Sequence, residues 1–209
     1  VGEYTVKTWN NQYMGTQTMT EVIQHSSNVG MVFVARSLGK DKLISYIRNF
    51  GFGQLTGIDL EEEASPLMRE DKDWRDIDLA TASFGQGIAV TPLQMTRAVG
   101  ALANDGWLME PRMVKEIRGS DGKTVVIKPK KIRQVIGADA AHVVTEMMIN
   151  AVDNGEAKWA KPKGYRIAGK TGTAQIPVAG HYDETKTIAS FVGFAPADNP
   201  RFVMLVTLR

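Results

Sequence analysis

Residues 164–175, "GYRIAGKTGTAQ", admit two local structures, and which of them forms decides the fold. Gly164 to Thr171 satisfy G-x-x-x-x-G-K-[ST], a loop that opens a helix and holds phosphate on its backbone amides. The same residues also read as a strand in which Gly169 and Gly172 let another backbone or a ligand come close. A phosphate loop needs a buried apolar strand before it and a helix after it. Here the approach, "EAKWAKPKG" (residues 156–164), is charged and broken by Pro162, and Gly172, Pro177 and Gly180 follow, so no helix starts. No apolar strand ends in an Asp suited to magnesium; "RFVMLVTL" runs into Arg209. The nucleotide-binding alternative is set aside in favour of the strand.

Around that strand, 209 residues that are 43% hydrophobic suffice for one sizeable core. Lys+Arg number 25 against 23 Asp+Glu, and a net charge of +2 gives no argument for nucleic acid or an anionic membrane. The basic clusters "KPKK" (Lys128 to Lys131) and "KWAKPK" (Lys158 to Lys163) have few interleaved aromatics and read as solvated faces. No apolar run approaches the ~20 residues of a membrane span, and no signal peptide is present. The absence of Cys is compatible with an oxidising compartment. His25, His142 and His181 lie far apart with no Cys and no H-E-x-x-H spacing, so no metal site is expected.

Helix signals come first along the chain and strand signals last. Thr18 with Glu21 makes a capping box ahead of a short helix ending near Gln24. "VGMVFVARSL" (Val29 to Leu38) closes on Gly39, and "DKLISYIRNF" (Asp41 to Phe50) carries apolar residues at 43, 44, 47 and 50 before Gly51. "GFGQLTGIDLEEEASP" (residues 51–66) reads as a surface loop. Thr91-Pro92-Leu93-Gln94 supplies an N-cap, a first-turn proline and a capping-box Gln for a helix running to about Asn104. "RMVKEIRGSDGKTVVI" (residues 112–127) predicts two strands around a Ser120-Asp121-Gly122 turn, and Asp139 to Val152 a long helix. "TIASFVGFAP" and "RFVMLVTL" are strand candidates joined by "ADNP" (residues 197–200).

Lys170-Thr171-Gly172 is a K-T-G triplet, and Ser26-Ser27-Asn28 supplies an S-x-N element upstream of it. In penicillin-recognising serine enzymes S-x-N precedes a strand-borne K-T-G, and a helix-borne S-x-x-K precedes both. With these motifs the chain resembles the transpeptidase domain of a class B penicillin-binding protein. "HSSNVGMVFVARSLG", "FGFGQLTGIDL", "ATASFGQGIAVTPLQM", "RIAGKTGTAQ" and "FVGFAPADNPRFVMLV" carry the likeness in family order over almost the whole chain. Two segments match S-x-x-K as text, Ser37 to Lys40 and Ser120 to Lys123. The first lies at a helix end, the second in a turn, and both follow S-x-N, so the nucleophile and its lysine are expected upstream of Val1.

The resemblance implies a mixed α/β fold of the α+β kind, that of penicillin-binding proteins and β-lactamases. Its antiparallel sheet would include Tyr165 to Gln175, Thr187 to Ala195 and Arg201 to Leu208. The helices from Thr18 to Asn104 would form a separate lobe, with the division at about 1–110 and 111–209. It also implies a peptidoglycan D,D-transpeptidase that cross-links stem peptides through a serine acyl-enzyme without a cofactor, taking a D-Ala-D-Ala donor and an amine acceptor and binding β-lactams as inhibitors. By similarity Ser26 relays a proton, Asn28 holds the catalytic lysine and the substrate amide, and Lys170 adds positive charge. Thr171 and Thr173 bind the substrate carboxylate, the Thr173 N–H forms half of an oxyanion hole, and Gly172 keeps space beside a substrate lying along the strand. Other cell-wall synthesis proteins are expected as partners, and an extracytoplasmic location with an anchor outside this chain. A D-alanyl-D-alanine carboxypeptidase or serine β-lactamase on the same fold, and a fragment without turnover, stay open. Gln86, between Gly85 and Gly87, is a candidate for lining the cleft, and the polar stretch Pro177 to Lys186 is expected as a loop beside it.

Overall fold

The computed structural model describes residues 1–3, 5–8, 12–178 and 181–208. The Thr18 capping box forms as its spacing predicts: the Thr18 hydroxyl accepts from Glu21 N, and the Glu21 carboxylate accepts from Thr18 N at 2.7 Å. It opens α1 (Met19–Gln24). Ser27 caps α2 (Asn28–Leu38) by accepting from Gly30 N at 3.2 Å. Gly39, at φ 84°, is the single hinge residue before α3 (Lys40–Asn49).

The stretch from residue 51 to 75 has no regular structure beyond one 3-10 turn, Asp71–Asp73. The next helix, α4 (Asp76–Ser83), had no clear signal in the sequence. It is started by Asp78, whose carboxylate accepts from Arg75 N at 3.0 Å. Thr91, Pro92 and Gln94 open α5 (Pro92–Leu102) as expected. Buried Gln94, 1% exposed, also donates to Gln54 O at 2.7 Å, and Arg97 donates to Thr56 O at 2.9 Å. These bonds tie the long loop to α5.

After α5 come β1 (Trp107–Met109), the hairpin of β2 (Glu116–Arg118) and β3 (Thr124–Val126), and β4 (Lys131–Gln134), which returns to pair antiparallel with β1. The β2–β3 hairpin was legible. β1 and β4 are too short to show a period of two, and their pairing is non-local.

Following α6 (Ala138–Asn154), β5 (Ala168–Val178), β6 (His181–Ala195) and β7 (Phe202–Leu208) form an antiparallel sheet in chain order. The strand expected from Tyr165 begins instead at Ala168. The polar stretch expected as a loop from Pro177 is strand, with Pro177 opposite Tyr182 and Val178 opposite His181. A register shift between Gln175 and Pro177 accommodates the proline, which has no N–H to give the ladder.

The core lies between one face of this sheet and two helices: Val99, Met148, Ile149, Ala168, Phe194 and Ala197 are buried together. Burial of each large apolar side chain there contributes about 1.5–3 kcal/mol. The helices from Thr18 to Asn104 therefore do not all stand apart from the sheet. Met95, Ala98, Val99 and Leu102 recur at i, i+3, i+4 and i+7, and Met95, Val99 and Leu102 put α5 into the sheet's core. α1 packs on α6, and the α1–α2 turn meets β5.

Candidate active site

Lys170 sits in β5 opposite Val192 of β6. Alternation along the strand gives Ala168, Lys170 and Gly172 one face, and Ala168 anchors that face in the core against α6. Lys170 reaches outward from this anchor to the α1–α2 turn. Its Nζ donates to Ser26 Oγ at 2.8 Å and to Thr171 O at 2.9 Å, and lies 3.3 Å from Thr171 Oγ1. Three acceptors meet the three N–H groups of one ammonium. Burial pushes the Lys170 pKa down from the ordinary lysine value, and the carboxylate of Glu156 opposes that shift.

Ser26 is held in an unusual backbone conformation. At φ 54° it occupies the left-handed region, which costs a non-glycine residue on the order of 1 kcal/mol. Two backbone bonds enforce it: Ser26 N donates to Ile23 O at 3.3 Å and Ser27 N to Val22 O at 3.0 Å. Reversing the chain within this turn leaves the Ser26 hydroxyl facing Lys170 while the next residue, Ser27, caps α2.

The remaining sequence-predicted residues divide. Thr171 joins the Ser26–Lys170 cluster. Asn28, the first residue of α2, donates through Nδ2 to Lys7 O at 3.0 Å and so holds the N-terminal segment. Thr173 lies exposed on β5 opposite Ala189. Gly172 is closely approached, but by the sheet itself: a Cβ would lie 2.8 Å from Ser190 Oγ on β6. At Gly169 the neighbour is the Phe191 ring, 2.3 Å from where a Cβ would be. β5 has a partner on one edge only among the described residues, leaving its other edge open to a further extended chain.

Both textual S-x-x-K matches have other duties. Lys40 donates to Trp74 O at 2.7 Å, and Lys123 pairs with Asp121 at 3.0 Å in the β2–β3 turn. Gln86 lies just beyond α4, its N–H donating to Thr81 O at 2.9 Å. A groove of about 700 Å³ adjoins the Ser26 turn, lined by Tyr13, Met14, His25, Ser27, Phe33 and Glu156 among others. Glu156 had no signal in the sequence, because its relation to Lys170 exists only once α6 has packed on α1.

The family model described as the penicillin binding protein transpeptidase domain matches residues 1–209. Stage V sporulation protein D of Bacillus subtilis is 40% identical over 205 residues, which cover 97% of this chain and 32% of that protein. The peptidoglycan D,D-transpeptidase FtsI of Escherichia coli is 36% identical over 193 residues, 91% of this chain and 31% of that protein. Among solved structures, penicillin binding protein 3 from Mycobacterium tuberculosis, complexed with aztreonam, superposes with a TM-score of 0.86 at 36% identity, over 91% of this chain and 45% of that one. The chain spans about a third of the length of these curated relatives.

Proposed function

The chain belongs to the penicillin-binding protein transpeptidase family, and from that premise we propose that its parent protein is a peptidoglycan D,D-transpeptidase with Ser26, Asn28 and Lys170 in its catalytic site. The observation that carries the assignment is the 2.8 Å contact of Lys170 Nζ with Ser26 Oγ across 144 residues of sequence. An ammonium beside a strained serine is suited to polarising and relaying a proton. Ser26 itself has the place of a relay rather than of a nucleophile.

The nucleophilic serine and its lysine are assigned to the longer protein, since Lys40 and Lys123 of the two S-x-x-K matches in these residues are engaged elsewhere. That serine attacks the carbonyl of the penultimate D-Ala of a stem peptide, its proton passing to the lysine. The C–N bond to the terminal D-Ala breaks, and the leaving nitrogen takes a proton through Ser26. An amine of a second stem peptide then attacks the acyl-enzyme, loses its proton along the same path and restores the serine. Lys170 keeps positive charge beside Ser26 and the substrate carboxylate, which Thr171 and Thr173 bind. Asn28 holds the catalytic lysine and the substrate amide once the upstream helix is in place. The donor peptide lies along the open edge of β5, and its carbonyl oxygen receives the Thr173 N–H.

β-Lactams enter the same site as inhibitors. The location that follows is outside the cytoplasmic membrane, with an anchor elsewhere in the protein and other cell-wall synthesis proteins as partners. Among the described residues no helix is long and apolar enough to cross a membrane.

Reaction with a fluorescent penicillin, followed by gel fluorescence and intact mass, tests the assignment. The 209-residue chain alone forms no stable adduct, whereas the protein extended upstream through S-x-x-K is labelled and loses most of its labelling as Lys170→Ala. Labelling of the short chain at Ser37 or Ser120 would place the nucleophile elsewhere, and indifference to Lys170→Ala would return the strand to a structural role.

A further inference from the structure

The junction between α6 and α1 is unusually tight. A Cβ on Gly155 would lie 2.8 Å from Gln24 O and 2.4 Å from Ala151 O, so no larger residue fits where the chain leaves α6. Side chains fasten the same junction: Asn150 Nδ2 donates to Gln24 Oε1 at 2.8 Å, Asn154 Nδ2 to Asn150 Oδ1 at 2.7 Å, and Gln24 Nε2 to Asn154 O at 3.4 Å. Glu156 is the next residue after Gly155, and Gln24 is two residues before Ser26. The position of Glu156 relative to the Ser26 turn is thus fixed by backbone contact. Its side chain lines the groove together with His25 and Ser27.

We propose that Glu156 is a positioning residue for acyl transfer, placed at the groove beside the Ser26 turn by the Gly155 junction so that its charge keeps the Lys170 ammonium directed at Ser26. This rests on the transpeptidase reading of the Ser26–Lys170 pair. Burial lowers the Lys170 pKa, and Glu156 is the carboxylate that counteracts it. The other groups around Lys170 do not duplicate this charge. On the sheet its neighbours are Val192, Thr171, Gly172 and Ser190, all uncharged. On the α1–α2 turn they are His25 and Ser26, and at the end of α6 Asp153 is paired with Lys161. The Glu156 side chain is exposed, so its field acts through partly solvated space and its effect is modest.

The sign follows directly. Removing the carboxylate leaves the burial of Lys170 unopposed, and the ammonium loses its proton at lower pH. Acylation that needs the ammonium then fades earlier as pH rises.

The test is the rate of acylation of the full-length protein by a fluorescent penicillin as a function of pH, for the parent, Glu156→Gln, Glu156→Asp and Lys170→Ala. The expected result is an alkaline limb displaced to lower pH in Glu156→Gln, with a rate up to about threefold lower along that limb, and recovery of most of the displacement in Glu156→Asp. A Glu156→Gln profile that superposes on the parent, or one lowered equally at every pH and not rescued by Asp, overturns the proposal while Lys170→Ala still abolishes labelling. Parent-like labelling of Lys170→Ala overturns the transpeptidase reading and this proposal with it.

Discussion

The tripeptide Gly-Lys-Thr occurs at residues 122–124 and again at 169–171, and the two copies have opposite surroundings. In the first, Lys123 sits at the β2–β3 turn with its side chain 85% exposed, paired with its near neighbour Asp121. The apolar residues of that hairpin, Ile117, Val125 and Val126, are exposed as well. In the second, Lys170 lies within β5, flanked by β6, α6 and the α1–α2 turn, and meets a serine 144 residues away. Identical local chemistry becomes a solvated charge in one place and a partly desolvated ammonium in the other. A lysine acquires unusual properties from what packs around it and not from its sequence neighbours.

Substituting the two lysines gives the largest expected contrast. In the full-length protein Lys170→Ala should slow acylation by a fluorescent penicillin about 100-fold or more, the scale of losing a preorganised charge at a reacting centre. Lys123→Ala should change the same rate by less than about twofold, since an exposed ion pair contributes little. Similar losses in both would show that the comparison does not concern the site.

The glycines preceding the lysines differ in the reason they are glycine. Gly122 has open space for a Cβ but a φ of 78°, whereas at Gly169 the Phe191 ring fills the place of the Cβ. Gly122→Ala should destabilise by about 1 kcal/mol through backbone strain. Gly169→Ala should cost about 2 kcal/mol, because the ring must leave its packing. Urea denaturation followed by tryptophan fluorescence measures both, and a reversed order would mean that the β5–β6 packing yields more easily than its distances suggest.

The partners of the two lysines sharpen the contrast further. Replacing strained Ser26 by Gly should relieve about 1 kcal/mol of backbone strain but leave one N–H of the Lys170 ammonium without its acceptor, so acylation falls while the fold loses less stability than in Ser26→Ala. A Ser26→Gly variant less stable than Ser26→Ala would argue against strain at φ 54°. Asp121, by contrast, is an ordinary turn carboxylate: hydrogen bonds from the Lys123 side chain and backbone N–H hold its pKa below the usual range. In Lys123→Ala its titration, followed by carboxyl NMR, should move up toward that range yet stay below it, because the N–H of residue 123 still donates at 3.1 Å. That is the smallest effect expected, and a complete return would assign the shift to the ammonium alone.

Much of the fold was legible because its signals are local. Thr18 with Glu21 and Thr91 with Gln94 opened helices where their side chains could satisfy first-turn amides. Gly39 and Gly51 followed the helices they were expected to end. The choice of strand over phosphate loop at residues 164–175 was likewise fixed by what stands on either side, a charged approach and glycines and a proline after it. Motif order then singled out Ser26, Asn28 and Lys170.

Tertiary structure decided the rest, because those features depend on contacts between distant segments. The short β1 and β4 acquire their ladder only from each other. The chain from Pro177 continues as strand because residues 181 and 182 lie opposite it. α5 joins the sheet through a stripe whose destination no local pattern states. Gly172 faces Ser190 because β6 folds back in that register, and Asn28 reaches Lys7 O on the N-terminal segment. Glu156 gains its relation to Lys170 only when Gly155 lets α6 close on α1. Motif order marked Lys170 in the sequence; burial and approach, which are set by the packing of the whole chain, made one of two identical Gly-Lys-Thr segments a partly desolvated ammonium and left the other a solvated charge.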